Sequence, residues 1–298
     1  MVPVYNGRAF LADAIASIRN QTRPVDELLV VDDASTDGSA ELAESLGACV
    51  IRAPRNGGPS AARNLALHAT DCEVVAFLDA DDWWLPQHCE QLAGALERHP
   101  EALLASARTQ LWQDQRRPEL PEPPVDTPFD AVAPLVQFNF VPQTGAVVRR
   151  RAVLDVGGYD ERLRLSEDYD LWLRLALCGP FVHVPEVTVH RRHHEAQASR
   201  AITGMFSNMW QHRLGLMERL SADATRRDTV VDALITAARV DLRDAWHAGE
   251  PEAFDVVAAA AARVPGAEPI VGRWQRRRAV GWHAWHTLRR LRRALRAR

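Results

Sequence analysis

The chain contains no lysine: all 36 of its Lys-plus-Arg residues are arginine. Mechanisms built on a lysine amine, such as a Schiff base, are therefore excluded. Cysteine is scarce too. Cys49, Cys72, Cys89 and Cys178 are scattered and form no CxxC pair, so neither a zinc site nor a disulfide framework is indicated. They suit a reducing compartment. No apolar run reaches the ~18–20 residues that span a membrane, and no secretory signal opens the chain. The expected location is the cytoplasm. A dinucleotide-binding glycine fingerprint and a P-loop are also missing, which removes two common nucleotide sites.

What is present is ordinary in bulk and uneven in detail. The 298 residues suit one large domain, or two packed halves with an appendage. Net charge is −3, yet Gly272 to Arg298 holds ten arginines and no acid. Strand and helix signals alternate through the first third. Phe10 to Arg19 carries Leu11, Ile15 and Ile18 at helical spacing. Short apolar runs at Glu27–Val31 and Glu73–Leu78 lack alternation, as in strands buried on both faces. Helices are predicted over 39–46, 60–69 and 86–98, with a strand over 48–51. This order predicts an α/β fold with a mostly parallel central sheet. The opening strand has only two or three residues before its turn, against a usual ~5–6, and so reads as one whose start lies upstream. A proline-rich stretch over 113–134 predicts a loop or extended arm. From Ala201 onward the pattern is helical.

Three acidic clusters carry the chemistry. The strand ending at Val31 runs into Asp32-Asp33-Ala34-Ser35-Thr36-Asp37. In a parallel sheet, ligands bind outside the carboxyl ends of strands. The strand ending at Leu78 runs into Asp79-Ala80-Asp81-Asp82. Carboxylates this close repel unless a cation neutralises them, and oxygen donors suit Mg²⁺ or Mn²⁺. The third cluster, Glu167-Asp168, opens a helix whose apolar face is Leu171, Trp172 and Leu175. The helix dipole keeps such a carboxylate ionised, as a general base requires.

Six motifs in this order resemble family-2 glycosyltransferases of the GT-A fold: Pro3-Val4-Tyr5-Asn6; Val30 to Asp37; Asn56-Gly57-Gly58 with Ala61 to Asn64; Phe77 to Asp82; Gly157 to Glu161; and Glu167 to Leu173. The resemblance spans about residues 2–200. It implies an inverting transferase that moves a sugar from a nucleotide diphosphate to an acceptor hydroxyl, in envelope polysaccharide or glycolipid synthesis. By the same resemblance, residues 1–200 form the catalytic domain, with a nucleotide-sugar half (1–108) and an acceptor half (109–200). A helical region over 201–298 follows.

The resemblance assigns Asp168 as catalytic base with Glu167 beside it. Asp33 would read the nucleotide base, while Pro3, Tyr5 and Arg63 line the nucleotide pocket. Asp79-Ala80-Asp81 matches the family's DxD motif, with Asp79 at the ribose or metal shell. Asp81 is the metal ligand, or Asp82, since the motif reads DxDD here. His193 matches a segment that closes near the phosphates. The cofactor implied is Mn²⁺ or Mg²⁺. The alternative is a GT-A-fold binding protein that has lost catalysis. A nucleotidyltransferase is disfavoured, because its glycine-rich loop with lysine is missing.

The basic tail has its own pattern. Trp282, Trp285, Leu288, Leu291 and Leu295 share one helix face, and Arg289, Arg290, Arg292, Arg293 and Arg296 lie largely off it. Such a helix either lies on an anionic membrane surface or packs its stripe on the catalytic domain. No nucleic-acid partner is expected.

Overall fold

The computed structural model describes residues 1–109, 123–192, 202–220 and 223–278. The chain divides into two compact units, Met1–Gln197 and Ala198–Arg298.

The first unit is built on strands β1 (Val2–Val4), β2 (Leu29–Asp32), β3 (Cys49–Arg52), β4 (Val74–Ala76), β5 (Trp83–Trp84), β6 (Leu104–Thr109), β7 (Ala146–Arg149) and β8 (Phe181–His190). β1, β2 and β3 form a parallel sheet in that order. The other five are ordered β4-β7-β6-β8-β5, with β6 and β8 parallel and the remaining pairs antiparallel. Two hydrogen bonds join the sheets. The Met1 amino group donates to the Ala76 carbonyl at 2.9 Å, and the Leu78 amide donates to the Met1 carbonyl at 3.0 Å. The three-stranded sheet is thus parallel and the five-stranded one mixed, and β1, β2 and β4 end on the same edge.

Helices α1 (Arg8–Arg19), α2 (Ser39–Ser45), α3 (Pro59–His68) and α4 (His88–Arg98) flank these strands. Their spacing follows the predicted elements to within two residues at each end. α1 buries Leu11, Ala14, Ile15 and Ile18 against a core that includes Val2, Val4, Val30 and Leu78. Burying side chains of this size contributes roughly 1.5–3 kcal/mol for each large one. α5 (Val132–Gln137), α6 (Arg150–Asp155) and α7 (Glu167–Ala176) complete the unit.

The proline-rich reading needs one correction. Residues 110–122 lie outside the described residues, but Pro134 sits inside α5. It occupies the first turn, where an amide has no intrahelical acceptor, so the missing N–H costs nothing.

The second unit contains α8 (Ile202–Arg219), α9 (Ala224–Ala248), α10 (Pro251–Ala261) and a further helix over 268–278. No helix among the described residues is long and apolar enough to cross a membrane. The aromatic-arginine stripe from Trp282 to Arg296 lies outside the described residues. One buried ion pair organises α8 and α9. Arg213 Nη1 and Trp210 Nε1 both donate to Asp241 Oδ2, at 2.5 and 3.0 Å. Arg213 is fully buried. Replacing Asp241 with alanine removes the carboxylate that accepts from both the buried Arg213 and Trp210, so Asp241→Ala should cost this unit about 3–5 kcal/mol. Urea unfolding followed by tryptophan fluorescence reads this directly, and a loss under about 1 kcal/mol would count against it.

Candidate active site

The carboxyl edge of the sheet gathers the predicted residues. After β1 the chain turns through Asn6, whose φ of 50° lies in the left-handed region. The Asn6 side chain accepts from the Thr36 amide at 2.8 Å, and the Asn6 amide donates to Ser35 Oγ at 2.9 Å. The Arg8 amide donates to Asp37 Oδ2 at 2.9 Å. These bonds lock the β1–α1 turn to the β2–α2 turn, where Ala34 also has a positive φ, 63°. Strained non-glycine residues of this kind cluster at functional sites. Tyr5 stands exposed beside them, with 55% of its surface open. Pro3 lies within β1 and is partly buried.

Asp33 is buried and its two oxygens are engaged. They accept from the Gly57 and Gly58 amides at 2.8 and 2.7 Å. The carboxylate thereby holds the loop that enters α3. Asp32, absent from the predicted site, is buried too. Its Oδ2 accepts from the Ser35 amide, and its Oδ1 has no hydrogen-bond partner among the described residues.

Arg63, buried in α3, joins the second and third clusters. Nη1 donates to Glu167 Oε1 and Nη2 to Asp79 Oδ1, each at 2.7 Å. Its guanidinium also lies 5.5 Å from the centre of the Tyr159 ring. Tyr159 packs edge-on against Phe77 and donates to Gln143 Oε1. The backbone around Tyr159 is clamped to α3 by Asn64, which accepts from the Tyr159 amide and donates to its carbonyl, both at 2.9 Å. Gly158 permits this approach. Its φ is +70°, and a Cβ there would lie 2.7 Å from Asn64 Oδ1.

Past that loop, Ser166 takes a φ of 61° and α7 begins. Glu167 and Asp168 occupy its first turn, as predicted. Arg174, one to two turns on, pairs with Asp170 and donates to the Val156 and Gly158 carbonyls, which fixes α7 against the loop. Asp168 accepts from the Tyr169 amide at 2.7 Å. Enclosure by protein, then the adjacent Glu167 carboxylate, push Asp168 up to about 7, so the helix N-terminus does not keep it fully ionised as its position led us to expect.

Asp79, Asp81 and Asp82 share a tight turn, closed by a hydrogen bond from the Asp82 amide to the Asp79 carbonyl. Each offers an oxygen, and these lie within 4.8 Å of one another. Such a set of hard donors fits a divalent cation. Asp82 is the buried member, only 2% exposed. Burial and then the nearby Asp79 push it up to about 7, against the pull of Arg191. Its Oδ1 accepts from the Arg192 amide at 3.0 Å, and Arg191 Nε lies 3.6 Å from Oδ2. Arg192 donates to Asp13 at 2.7 Å and to the Asp81 carbonyl. Its guanidinium lies 5.0 Å from the ring centres of both Phe10 and Trp83. Asp82 thus ties the end of β8 to the acidic turn. His193 follows immediately and lies outside the described residues.

A family model described as "Glycosyl transferase family 2" matches residues 1–157, more than half of the chain. The chain belongs to glycosyl transferase family 2. Similar curated proteins include a pre-mycofactocin glycosyltransferase of Mycobacterium tuberculosis, 30% identical over 207 residues, covering 66% of this chain and 43% of that protein. A putative teichuronic acid biosynthesis glycosyltransferase, TuaG, of Bacillus subtilis is 36% identical over 104 residues, covering 33% of this chain and 41% of that protein. The chain therefore spans less than half the length of these relatives.

Among solved structures, S. aureus TarS 1–349 in complex with UDP-GlcNAc has a TM-score of 0.68 at 18% identity, covering 89% of this chain and 80% of that one. The mannosyltransferase PcManGT of Pyrobaculum calidifontis, in complex with GDP-Man and Mn²⁺, has a TM-score of 0.55 at 21% identity, covering 96% of this chain and 81% of that one. At these identities the likeness establishes the fold, which is the GT-A type that the six motifs implied.

Sequence reading gave Asn64, Tyr159, Arg191 and Arg192 no role of their own, and read Asp32 only as part of the first acidic cluster. Asn64 and Tyr159 stood inside quoted motifs, but their partnership spans 95 positions and has no local signal.

Proposed function

We propose that this chain is an inverting glycosyltransferase that takes a sugar from a nucleotide diphosphate and places it on an acceptor hydroxyl. The observation that carries the reading is the Arg63 bridge. One buried guanidinium holds the Asp79 of the metal-binding turn and the Glu167 beside the base at fixed separation. Family membership supports it, as do the nucleotide-sugar ligands of the TarS and PcManGT structures.

In this reading residues 1–108 bind the donor, residues 109–200 the acceptor, and 201–298 form the helical region. Asp79, Asp81 and Asp82 would hold Mn²⁺ or Mg²⁺, which would offset the charge that develops on the departing diphosphate. Asp168 accepts the proton of the acceptor hydroxyl. The hydroxyl oxygen bonds to the anomeric carbon as the bond from that carbon to the phosphate oxygen breaks on the opposite face, so the configuration inverts. Glu167 raises the basicity of Asp168 by repulsion and is itself held by Arg63. Tyr5, Pro3 and the Asp33-anchored loop border the nucleotide, with His193 near the phosphates. A catalytically inactive binding protein of the same fold is the competing reading. Incubation with UDP-, GDP- and dTDP-sugars, with and without Mn²⁺, separates them. Cation-dependent nucleotide release is expected, and its absence from the whole panel would leave only the binding protein.

The acceptor is proposed to be lipid-linked, with the tail over 272–298 resting on an anionic bilayer. Each arginine near such a surface contributes about 1 kcal/mol, enough in number for weak, reversible attachment. Full-length protein should float with anionic liposomes, and a variant ending at residue 271 should stay behind. Equal flotation of the two would overturn the membrane role.

A further inference from the structure

Ser60, Arg63 and Asn64 lie at i, i+3 and i+4 of α3, so they share one helix face. All three reach the segment that leads into α7. Ser60 Oγ donates to the Leu163 carbonyl at 3.3 Å, and Arg63 holds Glu167. Asn64 makes the most complete contact. Its Oδ1 accepts from the Tyr159 amide, and its Nδ2 donates to the Tyr159 carbonyl and to Glu161 Oε1, each at 2.9 Å. One side-chain amide thus captures both backbone groups of Tyr159, which fixes where that residue sits and how it is turned. Arg174 of α7 grips the same turn from the other side, on the Val156 and Gly158 carbonyls. The Tyr159 turn therefore links α3, in the half that carries the acidic turn, to the helix that carries Asp168.

We propose that Asn64 is a positioning residue for the reaction: it sets where the first turn of α7, and with it the Asp168 carboxylate, stands relative to the acidic turn. The inference rests on the transferase reading above. Arg63 cannot do this alone. It meets Glu167 through one hydrogen bond and spends its other end on Asp79, so α7 could pivot about that single point. Asn64 supplies a second fixed point, at Tyr159, and two points separated along the segment remove the pivot. Its own hydrogen bonds reach neither the acidic turn nor the loop held by Asp33. Donor binding should therefore be indifferent to Asn64. Chemistry should not be, because a misplacement of about 1 Å between reacting groups can cost about 10²-fold in rate.

The test combines turnover with calorimetry on the full-length protein in Mn²⁺. The substrate is whichever UDP-, GDP- or dTDP-sugar wild type hydrolyses fastest, and the titrant is the matching UDP, GDP or dTDP. Asn64→Ala should bind the diphosphate with an affinity and a number of sites per chain close to wild type. Per binding site it should hydrolyse the donor about 10–100-fold more slowly. Asn64→Asp keeps an acceptor for the Tyr159 amide but sets a second carboxylate against Glu161. Adding Glu161→Gln returns a donor to that contact and should recover part of the lost rate, and no gain over Asn64→Asp alone would count against the clamp. A purely structural role gives another pattern: fewer binding sites and a lower unfolding temperature, with a wild-type rate at each site that remains. That pattern would overturn the positioning role, as would a loss of affinity as large as the loss of rate. If wild type hydrolyses no donor, the transferase reading itself fails, a result distinct from all of these.

Discussion

Replacing Asp168 with asparagine should lower transfer by about 10²–10⁴-fold while donor affinity stays within a few-fold of wild type. The size is the usual worth of a positioned general base. The substitution keeps the shape and removes only the proton acceptor. Asp168 bonds to its neighbour's amide, and the buried bridge beneath it runs through Glu167, not through Asp168. The donor-side clusters should therefore be undisturbed. Rate and affinity are measured separately, by turnover and by calorimetry with a nucleotide diphosphate. A loss of donor binding as large as the loss of rate would refute the base assignment.

The same residue sets a pH dependence. Enclosure and Glu167 push Asp168 up to about 7, and a base acts only when ionised. In wild type, kcat/KM should rise with pH through about 7 and level off above it. Below that range the protonated carboxyl cannot accept the acceptor's proton. The rising limb should vanish from the residual activity of Asp168→Asn. If the variant kept an identical limb, the titrating group would be a different one.

The legible and illegible parts of the molecule divide by the range of the interactions. Strand β2 reads clearly because it is buried on both faces, and β4, with only Val75 fully buried, because it runs on through buried Phe77 and Leu78 as an unbroken apolar segment into carboxylates. α1 read clearly from the spacing of Leu11, Ile15 and Ile18. The acidic clusters read clearly because a strand end followed by several carboxylates has few purely structural explanations. What could not be read is which side chains meet across the fold. Arg63 and Glu167 are 104 positions apart, and Asp82 and Arg192 are 110 apart. Nothing local to Arg63 says that its guanidinium turns inward to two acids. Pro134 failed for a different reason. A proline-rich context outweighed the fact that a proline in a helix's first turn loses no hydrogen bond. The antiparallel strand β7 was also invisible, since Ala146–Arg149 is short and follows a 3₁₀ turn.

Asp81→Ala should abolish cation-dependent turnover, a loss of at least about 10²–10³-fold that added Mn²⁺ does not rescue. The magnitude follows if the cation supplies several kcal/mol of charge stabilisation, because each 1.4 kcal/mol is about tenfold in rate. The sequence names Asp81 as the ligand with Asp82 as the next candidate, and the two differ in burial. Asp82 is buried, accepts from the Arg192 amide and faces Arg191, so part of its charge is already committed to holding the end of β8. Asp79 is likewise tied to Arg63. Asp81 keeps a partly exposed carboxylate in the same turn. Asp82→Asn should therefore be the milder change. It retains an acceptor for the Arg192 amide, and turnover should recover toward wild type as Mn²⁺ is raised. Titrating Mn²⁺ against initial rate for both variants reads the difference. If Asp81→Ala recovers with added Mn²⁺ and Asp82→Asn does not, the two aspartates exchange roles, and Asp82 becomes the principal ligand.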